Sequence, residues 1–149
     1  MTVAEFNIPD SSKEFLAEIG MPHDVDWSLT FETSSQALLQ FHDYSDLRII
    51  GYDDMMPLCL DEQHGGKVVV VEPSHDNVRF VNSCVEMLGY FLMVYQQCRL
   101  QGHKLSDDEE IVQLIDFTEH QMIQLDEIAM SDTEYYWSVI IEQVRAGLL

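Results

Sequence analysis

The sequence predicts an α+β fold, with a largely antiparallel central sheet of about five or six strands and helices packed against one face. Segments that alternate apolar and polar residues, as half-buried strands do, are concentrated between residues 27 and 82. These segments follow one another closely, which favours antiparallel pairing, whereas helical periodicity dominates after residue 83. A length of 149 residues with 46% hydrophobic composition fits a single domain, 1–149, that buries a substantial core.

Four helices are predicted from their starting residues. A Ser followed three residues later by Glu is typical of a capping box, in which each side chain satisfies a free N–H of the first turn. The pairs that precede helical periodicity are Ser11/Glu14, Ser83/Glu86, Ser106/Glu109 and Ser131/Glu134. They predict a short first helix that ends at Gly20, followed by helices at about 83–100, 107–129 and 132–146, with Gly147 as the final cap.

The strands are predicted from alternation and turn residues. The stretch "WSLTFE" at 27–32 alternates apolar and polar side chains, and "LRIIGYD" at 47–53 forms a second strand. Residues 56–73 read as a hairpin whose turn lies near His64-Gly65-Gly66, and "VRFVN" at 78–82 closes the set. Residues 27–82 are therefore expected to be essentially sheet.

The last strand leads directly into an apolar helix. Eight of the nine residues from 87 to 95 are apolar when Tyr is counted, yet polar residues on both sides keep the stretch below the length of a membrane span. We interpret this helix as core. Leu88, Phe91 and Leu92 are expected to be nearly inaccessible and to contact Val69, Val71 or Phe80.

The charge is strongly one-sided, with 27 Asp and Glu against 7 Lys and Arg, a formal net charge of -20. Such a surface repels nucleic acid and anionic lipid and attracts basic partners. The N-terminus has neither the basic nor the apolar region of a secretory signal, and the three cysteines lack metal-type CxxC spacing. The sequence predicts a soluble, cytoplasmic protein with no direct nucleic-acid or membrane contact.

Catalytic motifs are absent from the sequence. It contains no GxSxG, Walker-type, GxGxxG or HExxH pattern, and its six histidines are scattered, so neither a metal nor a cofactor is predicted. The pairs Asp53-Asp54 and Asp61-Glu62 fit a paired-carboxylate site, although solvated loop charges are the favoured interpretation. Four aromatic residues are candidate interface anchors, again with the core favoured: Trp27, Tyr44, Tyr52 and Trp137.

Two stretches resemble the SUKH superfamily of bacterial immunity proteins. "IGYDDMMPLCLDEQHGGKVVVVEP" contains a GxD turn (Gly51, Asp53), a PLCLDE strand, a glycine turn and a VVxVE-P strand, and "VRFVNSCVEMLGYFLMVY" is similar to the FVNSSLExF segment that starts a helix. Cys84 replaces the second Ser of that segment. "FLAEIGMP" and the tail "YYWSVIIEQVRAGLL" resemble the fourth immunity-protein group.

The resemblance implies a protein without enzymatic activity, which binds and neutralises a cognate toxin domain, often a nuclease or nucleic-acid deaminase. A basic toxin domain suits the charge of -20. The acids expected to steer it are Asp53, Asp54, Asp61, Glu62, Asp107 and Asp108. The alternatives are an acidic interaction or scaffold module without a toxin partner, and a small enzyme that uses Asp53, Asp54 and Asp61.

Overall fold

The structure, a computed structural model, describes residues 3–21, 29–31 and 37–148. Its helices are α1 (Asp10–Glu18), α2 (Val85–Gly102), α3 (Asp108–Leu125) and α4 (Tyr136–Arg145). Its strands are β1 (Leu29–Phe31), β2 (Leu38–Phe41), β3 (Tyr44–Asp53), β4 (Met56–Asp61), β5 (Lys67–Glu72) and β6 (Asn77–Asn82). The α+β prediction is confirmed.

All six strands belong to one antiparallel sheet. The order is β1-β3-β4-β5-β6, and β2 pairs with the first half of β3, on the same edge that β1 occupies further along. The β4–β5 connection turns at Gly65 and Gly66, both at φ 77°, as the sequence predicted. Gly51 lets β1 approach β3, because a Cβ at this position would lie 2.2 Å from the Thr30 carbonyl oxygen. Strand β2 was not predicted.

The helices pack on one face of the sheet. Phe91, Trp137 and Tyr95 form the centre of the main core, with ring centroids 5.5 Å apart for Phe91 and Trp137 and 5.9 Å apart for Tyr95 and Trp137. The predicted inaccessibility of Leu88, Phe91 and Leu92 is confirmed. Trp137 is therefore a core residue, as the sequence favoured.

The predicted contacts of α2 with Val69 and Val71 are wrong. Val68 and Val70 belong to the core beneath the helices, whereas Val69 and Val71 belong to a smaller apolar cluster on the opposite face of the sheet. Because side chains alternate along a strand, a register error of one residue exchanges the two faces. Phe80, the third predicted contact, does pack against the main core.

The four helices exist, but none of the four serines caps them through its side chain. Asp107, not Ser106, caps α3, since its carboxylate accepts from the N–H groups of Glu109 at 2.8 Å and Glu110 at 3.2 Å. Ser131 instead donates to the carbonyl of Ile128, and α4 begins only at Tyr136. The prediction that Ser106 and Ser131 stabilise helix starts is therefore wrong.

Helix α3 ends four residues earlier than predicted. Asp126 leaves the helical conformation, with φ -148° and ψ 84°, and turns its side chain into the protein. Residues 128–130 form a separate 3₁₀ turn. The predicted stops at Gly20 and Gly147 are confirmed, since both residues adopt φ 70° immediately beyond their helices.

Candidate functional surface

The structure separates the predicted acids. Asp53 and Asp54 lie at the β3–β4 turn, whereas Asp61 and Glu62 lie at the other end of β4. Six extended residues span about 17 Å, so the two pairs do not share a site. Asp107 and Asp108 lie elsewhere, at the start of α3. The carboxylates that the enzyme hypothesis would combine are thus not brought together.

Asp61 belongs to the framework of the β4–β5 turn. Its buried carboxylate accepts hydrogen bonds from the backbone N–H of His64 at 3.2 Å and pairs with the ring Nδ1 of His64 at 2.8 Å. The ammonium of Lys67 lies 3.7 Å away. Gly66 completes the turn and lies against Ile8, whose Cγ2 would be 2.8 Å from a Cβ at this position. Asp61 therefore fixes local structure.

Glu62 is also held inside the protein. It forms a buried ion pair with Arg48, and the Arg48 guanidinium lies 4.4 Å from the centre of the Phe6 ring. The amide of Asn7 donates to the Glu62 carbonyl oxygen at 3.3 Å. Together these contacts attach the N-terminal segment to the sheet, so Glu62 is enclosed by its own chain rather than presented to solvent.

The remaining predicted acids differ in exposure. Asp53 is buried at the end of β3. Asp54 is exposed in the following turn, where it adopts φ 52°. Asp107 and Asp108 are exposed at the positive end of the α3 dipole. Three of the six acids are therefore available to solvent, and they lie at two separate places.

A buried polar network explains the Asn82-Ser83 pair of the resemblance. The Asp126 carboxylate accepts from the Asn82 amide at 3.2 Å and from the N–H and Oγ of Ser83 at 2.8 and 2.7 Å. The indole N–H of Trp137 donates to the Asn82 side-chain oxygen at 2.8 Å. The network joins the end of β6, the end of α3 and the start of α4. The Ser83/Glu86 spacing predicted a helix cap instead, and no local pattern in the sequence pointed to Asp126.

The outer surface of the α2–α3 hairpin is apolar and uncovered by the described chain. Tyr90 and Met93 are 48% and 65% exposed, and Phe117 on α3 is 59% exposed. Tyr90 and Met93 border a groove of about 360 Å³, hereafter the hairpin groove. It is lined by Tyr90, Met93, Val94 and Gln97 of α2 and by Gln121, Gln124 and Leu125 of α3.

None of the seven residues that line the hairpin groove carries a charge at neutral pH. Helix α2 contains only two charged residues, Glu86 and Arg99, and its buried face uses a different set of apolar side chains. A helix that is apolar on all sides is normally enclosed on all sides. An exposed apolar surface that includes aromatic and Met side chains is typical of a protein interface.

The three proposed aromatic anchors that the structure describes are partly or fully buried. Tyr44 and Tyr52 are half-buried and pack against the smaller apolar cluster, and Trp27 lies outside the described residues. Within 3–21, 29–31 and 37–148, no group of three or more His, Cys, Asp or Glu is placed to hold a metal ion. The hairpin groove is therefore the strongest candidate functional surface.

The cysteines are free thiols in the described structure. Burial raises the pKa of the Cys59 thiol from 9.0 to about 12, and burial also raises the pKa of Cys84. With this raised pKa, the Cys59 thiol is protonated at neutral pH. It is therefore unreactive there, because the thiolate is the reactive form.

No helix in the described part of the chain has the length and apolar character that crossing a bilayer requires. A helix-backed antiparallel sheet, an acidic surface and an uncharged apolar helical face together describe a small α+β protein with a surface of the kind that contacts other proteins. The family model for the SUKH-4 immunity protein matches residues 1–143, so the chain belongs to this family. Membership supports an immunity role and implies a cognate toxin as partner. No curated protein and no solved structure matches the chain.

Proposed function

We propose that this protein acts in the cytoplasm of a toxin-producing cell, where it binds the cognate toxin domain and neutralises it by occlusion, without catalysis of its own. The observation that carries the proposal is the SUKH-4 match over residues 1–143 of the 149-residue chain. The separation of Asp53 and Asp54 from Asp61 by the length of β4 supports a binding role over the enzyme alternative.

The charge supports a toxin that acts on nucleic acid, a nuclease or a deaminase. Such an enzyme holds its substrate through Lys and Arg contacts to phosphates, so its cleft is basic. A protein of net charge -20 is attracted to that cleft and competes with the substrate for it. The same charge disfavours acidic partners, which adds selectivity.

Within this proposal, the exposed acids Asp54, Asp107 and Asp108 steer the encounter with the toxin. Asp53, Asp61 and Glu62 are buried, and the last two have cationic partners in their own chain. Steering acts mainly on the association rate. Neutralising Asp54, Asp107 and Asp108 together should slow association and flatten its salt dependence, with little effect on dissociation. Stopped-flow mixing at several salt concentrations measures both.

The decisive test is survival. A candidate toxin domain, chosen from the genes that neighbour this one, is expressed in cells with and without this chain, and the purified pair is examined by pull-down. Rescue together with a stable complex supports the proposal. If the chain neither binds that toxin nor restores growth, the immunity function is refuted and the scaffold alternative gains support.

A further inference from the structure

The hairpin groove exposes apolar side chains that no part of the described chain covers, so a binding partner would have to cover them. Tyr90, Met93 and Gln97 follow one another at i, i+3 and i+7 on α2, and Gln121 and Gln124 repeat at i, i+3 on α3. Exposed aromatic and Met side chains remove much apolar area from water when they are covered, and an aromatic side chain does so with few rotatable bonds. The Gln side chains add donors and acceptors without adding charge.

A second copy of this chain is disfavoured as that occupant. Two copies would each bring a net charge of -20, and a two-fold contact through the hairpin groove would bring the acidic first turns of both α3 helices into the same assembly. Like charges at an interface cost affinity. A basic partner gains from the same charges, so charge complementarity selects a different protein.

Acidic residues lie at the two ends of the α2–α3 hairpin, beyond the residues that line the groove. Asp108, Glu109 and Glu110 form the first turn of α3, beside the C-terminal end of α2. Glu127 is exposed just after α3, and Glu86 lies in the first turn of α2, at the other end of the antiparallel hairpin.

Glu86 is charged at neutral pH. Burial acts to raise the pKa of Glu86, but hydrogen bonds, led by the one from Ser12 Oγ at 2.7 Å, outweigh it and hold the pKa below its ordinary value of 4.5. The uncharged groove thus lies between two anionic ends of the hairpin.

We propose that the hairpin groove receives an amphipathic helix of the cognate toxin, with its apolar face on Tyr90 and Met93 and basic side chains towards both ends of the hairpin. The proposal rests on the immunity function proposed above. Two helices packed side by side form a groove into which the side-chain ridges of a third helix fit. Apolar contacts at the centre then set the dissociation rate, and the flanking charges set orientation and the association rate.

The central test places a positive charge in the groove. Met93→Lys should weaken binding to a catalytically inactive form of the toxin domain identified by the survival test by roughly tenfold or more, mainly through faster dissociation. Leu38→Lys is the matched control, because Leu38 is similarly exposed, at 51%, but lies on β2 at the far edge of the sheet. The control should bind within about twofold of the parent chain. Circular dichroism confirms that both variants are folded.

The charged ends are tested separately. The double variant Glu110→Gln with Glu127→Gln removes one acid from each end of the hairpin, and Asp43→Asn with Glu142→Gln removes two exposed acids elsewhere. The first pair should slow association several-fold more than the second pair at low salt. Equal rates for the two pairs would refute the assignment of the ends.

The outcomes separate the two proposals. If the parent chain binds the toxin and Met93→Lys binds equally well, the groove assignment is wrong while the immunity function stands. If the parent chain does not bind the toxin, the immunity function itself fails and the groove has no toxin helix to receive. If light scattering shows a dimeric parent chain and a monomeric Met93→Lys variant, a second copy covers the groove and the proposal is overturned.

Discussion

Removing the Asp126 carboxylate tests whether the buried network holds the helices in place. Asp126 follows α3 and accepts three hydrogen bonds, from the Asn82 amide and from the N–H and Oγ of Ser83. Asn82 is fully buried, whereas Ser83 is half-buried. In Asp126→Ala, the Asn82 amide loses its acceptor where water has little access, while water partly replaces the acceptor for Ser83.

The loss in the free energy of unfolding can be estimated from the different burial of Asn82 and Ser83. A buried donor left without its partner costs about 1–3 kcal/mol, and a hydrogen bond to a charged group contributes about 1.5–3 kcal/mol. Water recovers part of the loss at Ser83, so we expect Asp126→Ala to lower the free energy of unfolding by about 3 kcal/mol. For a domain of this size that corresponds to a fall in Tm of about 6–12 °C.

Urea denaturation measures the change in the free energy of unfolding, provided that the slope with urea is unchanged. Glu127→Gln is the matched control: it removes the same charge one residue away, at an exposed position. A loss below about 1 kcal/mol for Asp126→Ala, or an equal loss for Glu127→Gln, would refute the stabilising role of the network. Ser83→Ala should cost less than Asp126→Ala, because it removes one of the three bonds.

Three further predictions concern stability and reactivity. Asp107→Ala should cost about 1 kcal/mol in urea denaturation because it removes the α3 cap, whereas Ser106→Ala should change stability by less than about 0.5 kcal/mol. Phe91→Ala should cost about 3–5 kcal/mol, since it leaves a cavity beside Trp137; a loss under about 1 kcal/mol would place α2 outside the core. Folded Cys59 should resist iodoacetamide at pH 8 and react in urea. Its raised pKa contributes stability that is complete below pH 9 and is lost as pH rises towards about 12.

The helices were predictable because their apolar periodicity is strong, but their caps were not. A Ser-x-x-Glu pattern shows that a cap is available, whereas the cap used depends on which neighbour competes for it. At α3, Asp107 takes the role one residue after Ser106. At α2, Ser83 is drawn into the bond with Asp126, a residue 43 positions away. A long-range partner of this kind leaves no local pattern in the sequence.

The sequence was also a limited guide to which side chains of β5 face the helices. Four consecutive Val residues in β5 have no alternation, so the sequence did not indicate which pair faces the helices. Strand β2 was missed for a related reason, since "LLQF" is short and its pairing with β3 is interrupted by an irregularity after Leu39. The apolar character of α2 was recognised but assigned wholly to the core. Exposure of Tyr90 and Met93 became evident only when the packing was known.

The residues that carry the family resemblance and the residues of the hairpin groove have different physical roles. Gly51, Asp61 and Gly66 set close approaches and turns, and Asn82 joins the buried network, so substitutions there leave a clash or an unsatisfied polar group. The groove residues are solvent-exposed or half-exposed on α2 and α3, where most substitutions change stability by less than about 0.5 kcal/mol. Substitutions that change which partner the groove binds therefore reduce the stability of the fold only slightly. Asp126 joins the end of α3 to Ser83, just before α2. The buried network therefore also fixes the spacing of the two helices that form the groove.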